Sequence, residues 1–249
     1  MPGPAGASVV VATVGRPERL AELVDTVLAD PGTTELLVVV DGPDLRSAAR
    51  LHALAARRPR LRPLVVSRRG QLGALDEGVR RARCEVVVLL DDDVLPAPGT
   101  VAGHLAHHRD HGGLVVAGPM PVATPRGDRA EVATRLYATE YLAHLDALAS
   151  GGVDPLDVLW TGNLSLRRRH CLAVGLASPG FRAHYHADTD LGFRLAAAGL
   201  EGRYDPQLLA HHRHRRDDRA FLRDAARQGE GRAALHRAHP GRMGPWSPR

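Results

Sequence analysis

Glu85-Val86-Val87-Val88-Leu89-Leu90-Asp91-Asp92-Asp93 runs five consecutive apolar residues straight into three carboxylates. A short, β-branched apolar run without alternation is the pattern of a strand buried on both faces, as in a parallel sheet. Ligands of open α/β sheets bind beyond the carboxyl ends of the strands, so this run delivers its aspartates to a ligand position. Three adjacent ionised carboxylates repel. At ~4 Å each pair costs about 1 kcal/mol in water and about 4 kcal/mol at an effective dielectric of about 20. A divalent cation removes that cost, and oxygen donors suit Mg²⁺ or Mn²⁺. A solvated acidic turn is the alternative for an isolated Asp triplet; the buried strand in front favours the metal site. Val94-Leu95-Pro96-Ala97-Pro98-Gly99 is expected to end the strand and turn the chain.

Upstream of this strand, apolar runs at residues 8–13, 35–42 and, more weakly, 61–67 read as three further strands. Between them lie segments with helical spacing: Leu20, Leu23, Val24, Val27 and Leu28, then residues 45–57, then 70–82. Pro17 suits the first turn of the first helix. Strand and helix alternate from residue 8 to 93, the pattern of βαβ units around a parallel sheet. No G-x-G-x-x-G follows the first strand, which disfavours a dinucleotide site, and G-x-x-x-x-G-K-[ST] is missing too.

Downstream, residues 98–111 read as a helix and 114–118 as a strand. Residues 128–149 form a long helical stretch whose expected apolar face carries Leu136, Tyr137, Tyr141, Leu142, Leu145 and Leu148. Residues 160–166 are a loop entering a short strand, 167–174 a short helix, and 188–198 a helix closed by Gly199. A final strand is expected over residues 202–210, running into His211, His212 and His214. Residues 221–238 read as an amphipathic helix, and the Pro- and Gly-rich tail at 240–249 as mobile.

Composition narrows the functional classes. The 249 residues suffice for one full core, most simply a single domain with extensions. Aromatics make up only 4%, which disfavours a nucleic-acid binder built on stacking platforms. All 33 basic residues are Arg, and the net charge of +5 suits an anionic partner such as a nucleotide, a phospholipid surface or nucleic acid. Cys84 and Cys171 lack metal-ligand spacing and read as free thiols in a reducing compartment. Neither a signal peptide nor a run near the ~20 apolar residues of a membrane span is seen, so membrane contact is at most peripheral.

Four constellations stand out. Asp41 ends the second strand at the edge that Asp91 occupies, where it can accept from a base or ribose, although Asp41-Gly42 is equally a turn signal. Arg68-Arg69-Gly70-Gln71-Leu72-Gly73 joins a strand to a helix N-terminus, which suits an anion such as a pyrophosphate or is a solvated loop. Asp188 and Asp190 open a helix, as caps or, in a cleft, as a general base. If strand geometry continues past residue 210, His212 and His214 share one face, where an imidazole can complete a cation site, and His211 points away.

Together, and in this order, these residues resemble the family 2 glycosyltransferases of GT-A fold, over residues 8 to about 240. The family's first strand ends in a base-binding loop, matched by Ala12, Thr13 and Arg16, and its second in an Asp that meets the base, matched by Asp41. The N-x-G…R-N-x-G segment corresponds to Arg69-Gly70-Gln71 and Leu75-Asp76-Glu77-Gly78, with both asparagines replaced. The D-x-D motif falls on Asp91-Asp92-Asp93. G-N-x-x-x-R-R matches Gly162-Asn163-Leu164-Ser165-Leu166-Arg167-Arg168, and E-D-x-D-L reads Ala187-Asp188-Thr189-Asp190-Leu191.

The resemblance implies an inverting, metal-dependent transfer from a nucleotide-diphosphate sugar to an acceptor hydroxyl on a saccharide, a lipid-linked sugar or a small metabolite. It assigns Asp188 as catalytic base and Asp91, Asp93 and His212 to Mn²⁺ or Mg²⁺. Ala12, Thr13, Arg16, Asp41, Arg69, Gly70, Asp76, Asp91 and Asp92 fall to the donor, and Trp160, Gly162 and Asn163 to the acceptor side. It divides one domain, residues 1–239, into a nucleotide-binding part at about 8–118, an acceptor-side part at about 119–216 and a C-terminal helix at about 217–239. Q-x-x-R-W of processive members is missing, which disfavours a polymerising synthase. A cytoplasmic protein, at most at the inner membrane face and without nucleic acid as partner, is expected. The rival readings are a nucleotidyltransferase, a non-catalytic module binding nucleic acid or an anionic membrane, and an inactive transferase, raised by Ala187.

Overall fold

The computed structural model describes residues 5–122, 132–181, 183, 185–213 and 218–243. Its centre is a seven-stranded sheet in the order β3-β2-β1-β4-β7-β6-β8. β1 (Ala7–Thr13), β2 (Thr33–Asp41), β3 (Leu61–Val66) and β4 (Val86–Asp91) are mutually parallel, so all four carboxyl ends share one edge. β7 (Asn163–Arg167) runs antiparallel to β4 and to β6 (Leu114–Ala117), while β8 (Glu201–Tyr204) is parallel to β6. Leu90 pairs with Asn163. The reversed strand therefore brings its beginning, not its end, to the edge where β4 finishes.

The apolar runs behave as strands buried on both faces. Val9, Val11, Leu36, Val38, Val40, Val88 and Leu90 enter one core cluster with α1 (Leu20–Ala29) and α2 (Leu45–Ala55). Their sequence neighbours Val10, Leu37, Val39, Val87 and Leu89 enter the other, with α3 (Gln71–Arg81), α6 (Arg168–Val174) and α7 (Ala187–Ala197). Each fully buried Val or Leu contributes about 1.5–3 kcal/mol of transfer free energy, so the sheet is held from both sides. α3 lies so close that a Cβ on Gly78 would stand 2.4 Å from Val10 Cγ1.

Several expectations are corrected. The single strand over 202–210 is two: β8 ends at Tyr204 and β9 (Ala210–His212) begins after a turn. Pro206 has no N–H for a ladder, and Asp205 Oδ1 accepts from Gln207 N at 2.9 Å, closing the turn. Residues 94–96 do not merely turn: β5 (Val94–Pro96) pairs antiparallel with β9, Val94 opposite His212. α4 is shorter than expected, Thr100–His107. α5 is described over Val132–Ala149, and its expected start near residue 128 lies outside the described residues. Its buried face is Ala133, Thr134, Ala138 and Leu148, whereas Leu136 and Leu142 are exposed. After α8 (Asp218–Ala238) the tail is not mobile at its start: α9 (Pro240–Met243) is helical, and Arg242 pairs with Asp157 at 2.7 Å. Cys84 and Cys171 are buried free thiols. Among the described residues no helix is long and apolar enough to cross a membrane.

A buried polar chain ties α4 to the sheet. His108 Nε2 and His104 Nδ1 lie 2.8 and 2.9 Å from Ser165 Oγ, and His104 Nε2 lies 2.9 Å from Asn163 Oδ1. Asn163 Nδ2 donates to Leu208 O at 2.7 Å and to Pro119 O at 3.2 Å. That amide orientation makes His104 Nε2 the donor, so Nδ1 accepts from Ser165 and Ser165 accepts from His108. Burial pushes His104 down to about 4 and His108 down to about 3. Groups depressed on folding stabilise above their unfolded value near 6.5 and lose that contribution as pH falls towards the folded values, at about 1.4 kcal/mol per unit of separation. Denaturant midpoints should therefore drop steeply from pH 6.5 to pH 4. His108→Gln, which keeps a donor for Ser165 and cannot charge, should flatten that slope.

Candidate active site

Of the three aspartates at and just after the end of β4, Asp92 and Asp93 converge on Arg16 and Asp91 turns away. Asp92 accepts from Thr13 Oγ1 at 2.7 Å and from Arg16 Nη1 at 2.6 Å. Asp93 takes the same Arg16 Nη1 at 2.8 Å, lies 3.7 Å from Arg19 Nη1, and faces His212 Nε2 at 3.3 Å across the β5–β9 pair. Asp91 turns instead towards α3, accepting from Gln71 Nε2 at 2.5 Å. Its other oxygen lies against Gly162, where a Cβ would stand 2.6 Å from Asp91 Oδ2. The residue after Thr161 thus has to be glycine for β7 to start beside this carboxylate.

Burial, then the charges of Asp188, Asp93 and Asp92, push the Asp91 carboxyl well above the usual carboxylate range, opposed by Arg16. Burial and Asp93 also raise Asp92, against the Thr13 hydrogen bond and Arg16. The cluster carries more negative charge than its surroundings offset. The expected three-ligand grouping of Asp91, Asp93 and His212 is not assembled: among the described residues no three His, Cys, Asp or Glu side chains could together hold a metal. The reason is that β4 ends at Asp91 and residues 92–93 turn into β5, so Asp93 does not keep the strand register that would set it on the same face as Asp91. What remains is the pair Asp93–His212. His211 is exposed, as strand alternation predicted, and His214 lies outside the described residues.

The donor-side residues divide. Asp41 is almost wholly buried, and its two oxygens accept from the backbone N–H groups of Arg69 (2.6 Å) and Gly70 (3.1 Å). It shapes the loop that opens α3. Arg69, Gly70 and Gln71 line the main cavity, and Ala12 sits beside Asp91 in the β1–β4 register. Asp76 does not face this cavity. Its carboxylate holds Arg80 Nη2 at 2.9 Å and the N–H of Leu176 at 3.2 Å, bracing α3 against the turn after α6.

The acceptor-side residues divide too. Trp160 lines the cavity and donates from Nε1 to Gly118 O at 3.1 Å. Asn163 is fully buried in the His104 chain and cannot meet an acceptor; its role is to hold the starts and ends of strands together. Asp188 accepts from Thr161 N (3.3 Å) and Thr161 Oγ1 (3.2 Å) at the cavity wall. Asp190 is paired with Arg194 Nε and hydrogen-bonded to His239 Nε2, both at 2.8 Å. The two acids that look alike in the sequence are thus distinguished. His186, just before α7, has φ 64°, a region that non-glycine residues seldom occupy and that clusters at functional sites. Sequence reasoning missed Gln71 and Thr161 as site residues, although each adjoins a predicted one. It also missed Tyr137, Tyr141 and Arg232, whose only signal was helical spacing.

Arg69, Gly70, Gln71, Asp91, Trp160 and Asp188 line a cavity of about 1190 Å³ that runs on to the C-terminal helices. A three-layer α/β sheet with a cavity at the carboxyl end of β4, completed by an antiparallel strand, is the GT-A architecture of nucleotide-sugar glycosyltransferases. Solved structures share it. A mannosyltransferase, PcManGT from Pyrobaculum calidifontis in complex with GDP-Man and Mn²⁺, superposes with a TM-score of 0.68 at 19% identity, over 96% of this chain and 65% of its own. GalNAc-T7 with UDP, GalNAc and Mn²⁺ gives 0.65 at 14% identity, over 85% of this chain and 44% of its own. Residues 8–159 match glycosyl transferase family 2, and the chain belongs to that family. A curated relative, the uncharacterized glycosyltransferase YfnE of Bacillus subtilis (strain 168), is 23% identical over 222 residues, covering 72% of this chain. The chain spans 56% of that relative's length.

Removing the Asp41 carboxylate leaves two backbone donors without their acceptor. Asp41→Ala should destabilise the protein by about 1–3 kcal/mol, read from denaturant unfolding, and should weaken UDP or GDP binding by loosening the 69–70 loop.

Proposed function

We propose that the chain transfers a sugar from a nucleotide-diphosphate sugar to an acceptor hydroxyl, with inversion and with a divalent cation. The observation that carries this reading is the buried, under-neutralised acid cluster at the end of β4, with Asp188 close enough across β7 to raise Asp91. The family membership supports the chemistry, and the two neighbours solved with nucleotide or nucleotide sugar and Mn²⁺ support the cofactor.

The residues present fit a divalent cation. Mg²⁺-type sites use one or two carboxylates, with the remaining positions taken by water and substrate phosphate, so Asp93 with His212 is a sufficient protein share. Arg16, bridging Asp92 and Asp93 through one nitrogen, shows that this spot accepts positive charge. When bound, the cation would supply Lewis-acid neutralisation of the leaving diphosphate.

The chain's own residues do the rest. Thr13, Arg16 and the Asp41-pinned loop hold the nucleotide end, with backbone N–H groups at the start of α3 facing anionic oxygens. Asp91 and Gln71 border the sugar. Asp188, positioned by Thr161 N and Oγ1, takes the acceptor hydroxyl proton. The acceptor oxygen forms the new bond to the anomeric carbon, and the bond from that carbon to the diphosphate oxygen breaks. Its electron pair leaves with the nucleoside diphosphate, and the proton passes to Asp188. A cytoplasmic location, where nucleotide sugars are supplied, belongs to the same reading.

Two measurements test it. In the wild type, UDP or GDP at about 100 times its dissociation constant with Mn²⁺ should add about 2.7 kcal/mol of stability. Asp93→Ala should lose the Mn²⁺-dependent part while keeping its fold; an unchanged Mn²⁺-dependent shift would remove Asp93 from the metal site. Asp188→Asn should still bind nucleotide and cation but lose roughly 10²–10⁴-fold in turnover, the usual worth of a general base. Turnover within about threefold of wild type, far below that range, would make Asp188 a capping residue.

A further inference from the structure

The chain holds nine aromatic residues: three Phe, two Trp and four Tyr. Six of them, Tyr137, Tyr141, Trp160, Phe181, Tyr185 and Phe193, line the one cavity. They come from α5, the loop before β7, the segment leading to α7, and α7 itself, and so converge only in the fold. The residues around 178–193 and 228–243 that complete this chamber lie beyond the stretch that matches the family, residues 8–159. Family membership therefore does not assign what the chamber takes.

The rings turn apolar surface to the cavity. Trp160 spends its N–H on Gly118 O, and the Tyr141 hydroxyl accepts from Met120 N at 2.8 Å. Tyr137 stacks on Tyr141 (6.2 Å between centroids, 14° between planes), and Tyr141 meets Trp160 edge-on (5.6 Å, 62°). The result is a continuous aromatic wall. Polar groups border it: Glu140 and His144 follow Tyr137 and Tyr141 by three residues each on α5, hence on the same face, and Arg232 lies on α8. Flat apolar faces edged by hydrogen-bonding groups match a molecule with one C–H face and hydroxyls around its rim, which is a pyranose. A polyprenyl chain would use the wall but none of the polar groups at its edge, and a bare phenolic ring would use only the stacking. A cavity of about 1190 Å³ also exceeds the ~300–1,000 Å³ of ordinary small-molecule pockets, leaving room for sugar rings beyond the donor.

We propose that this chamber is the acceptor subsite and takes a saccharide, stacked on the Tyr137–Tyr141–Trp160 wall with its reacting hydroxyl towards Asp188. The assignment rests on the transferase reading above. Trp246→Phe leaves Trp160 the sole tryptophan, so its emission reports the wall directly. The variant would be titrated, with Mn²⁺ and UDP or GDP present, with chitobiose, cellobiose, maltotriose and mannobiose. Undecaprenyl phosphate in micelles and 4-nitrophenol would be run in parallel. At least one saccharide should shift Trp160 emission saturably. Adding Tyr137→Ala should weaken that saccharide about tenfold, the upper worth of one aromatic contact, while nucleotide affinity measured by calorimetry without Mn²⁺ stays unchanged, Tyr137 also meeting His212 edge-on. A response to the lipid or the phenol alone, or none to any saccharide while nucleotide still binds, overturns the saccharide assignment and leaves the donor reading standing. Failure of both nucleotides to bind sinks the transferase reading itself, whatever the saccharides do.

Discussion

Three carboxylates at the end of a buried strand cannot all be ionised without a counter-charge, and much of the surrounding architecture answers that constraint. Arg16 reaches from the loop after β1 to touch both Asp92 and Asp93. Thr13, the last residue of β1, hydrogen-bonds Asp92. β9 exists as a strand by pairing with β5, and that pairing sets His212 against Asp93. Even so, burial leaves both Asp91 and Asp92 raised, Asp91 well above the usual carboxylate range. A fold optimised for stability alone would put apolar or singly charged residues here; retaining three acids is the local conflict expected at a functional site.

The second constraint is the reversal of β7. A parallel strand at that position would bring its carboxyl end to the cavity and place the Trp160–Gly162 loop at the far edge. Running antiparallel, β7 starts beside Asp91, and Thr161 donates to Asp188 from the same turn. The start of a strand is easily frayed, and here it is held from behind. Asn163 links the ends of β6 and the 205–209 turn through two carbonyls, and His104 fixes its amide orientation. A fully buried amide thus governs the placement of an exposed site without touching any ligand, which is why a motif residue expected on the acceptor side proves to be internal.

How far the sequence discloses this depends on where the signal lies. β1 to β4 were legible because strands buried on both faces cannot carry polar residues, so their apolar runs are unbroken. Acids at Asp41 and Asp91 then mark the ligand edge. β5 and β9 were not, because a three-residue strand with Pro96 at its end has no period to read. The division of 202–210 was written in Asp205-Pro206, a turn signal outweighed by the apolar residues around it. Asp188 and Asp190 were indistinguishable by pattern, since both sit in the first turn of α7. Arg194, four residues after Asp190 on the same helix face, hinted at a paired acid, but His239 lies 49 residues away and its contact is purely tertiary. The face of α5 was misread because Leu136 and Leu142 follow apolar spacing yet point outward, while small residues, Ala133 and Ala138, make the close contact.

The two halves of the cavity are built from different materials. On the donor side, Asp41 grips backbone N–H groups, so the side chains at Arg69 and Gly70 do not enter the interaction that shapes the loop. The asparagines that family members carry in this segment can accordingly be replaced by Arg69 and Asp76 while the loop keeps its anchor. Asp76 is then available for an unrelated task, bracing α3 to Leu176. On the acceptor side the wall is made of side chains: Tyr137 and Tyr141 from α5, Trp160 before β7, Leu235 and Met243 from the C-terminal helices. Those helices are held to the site by Leu235 packed on Phe181 and Phe193, by Arg242 over the Phe193 ring and on Asp157, and by His239 against Asp190, not by the sheet. A backbone-built half tolerates sequence change with little change in shape, whereas a side-chain-built half changes shape with each substitution.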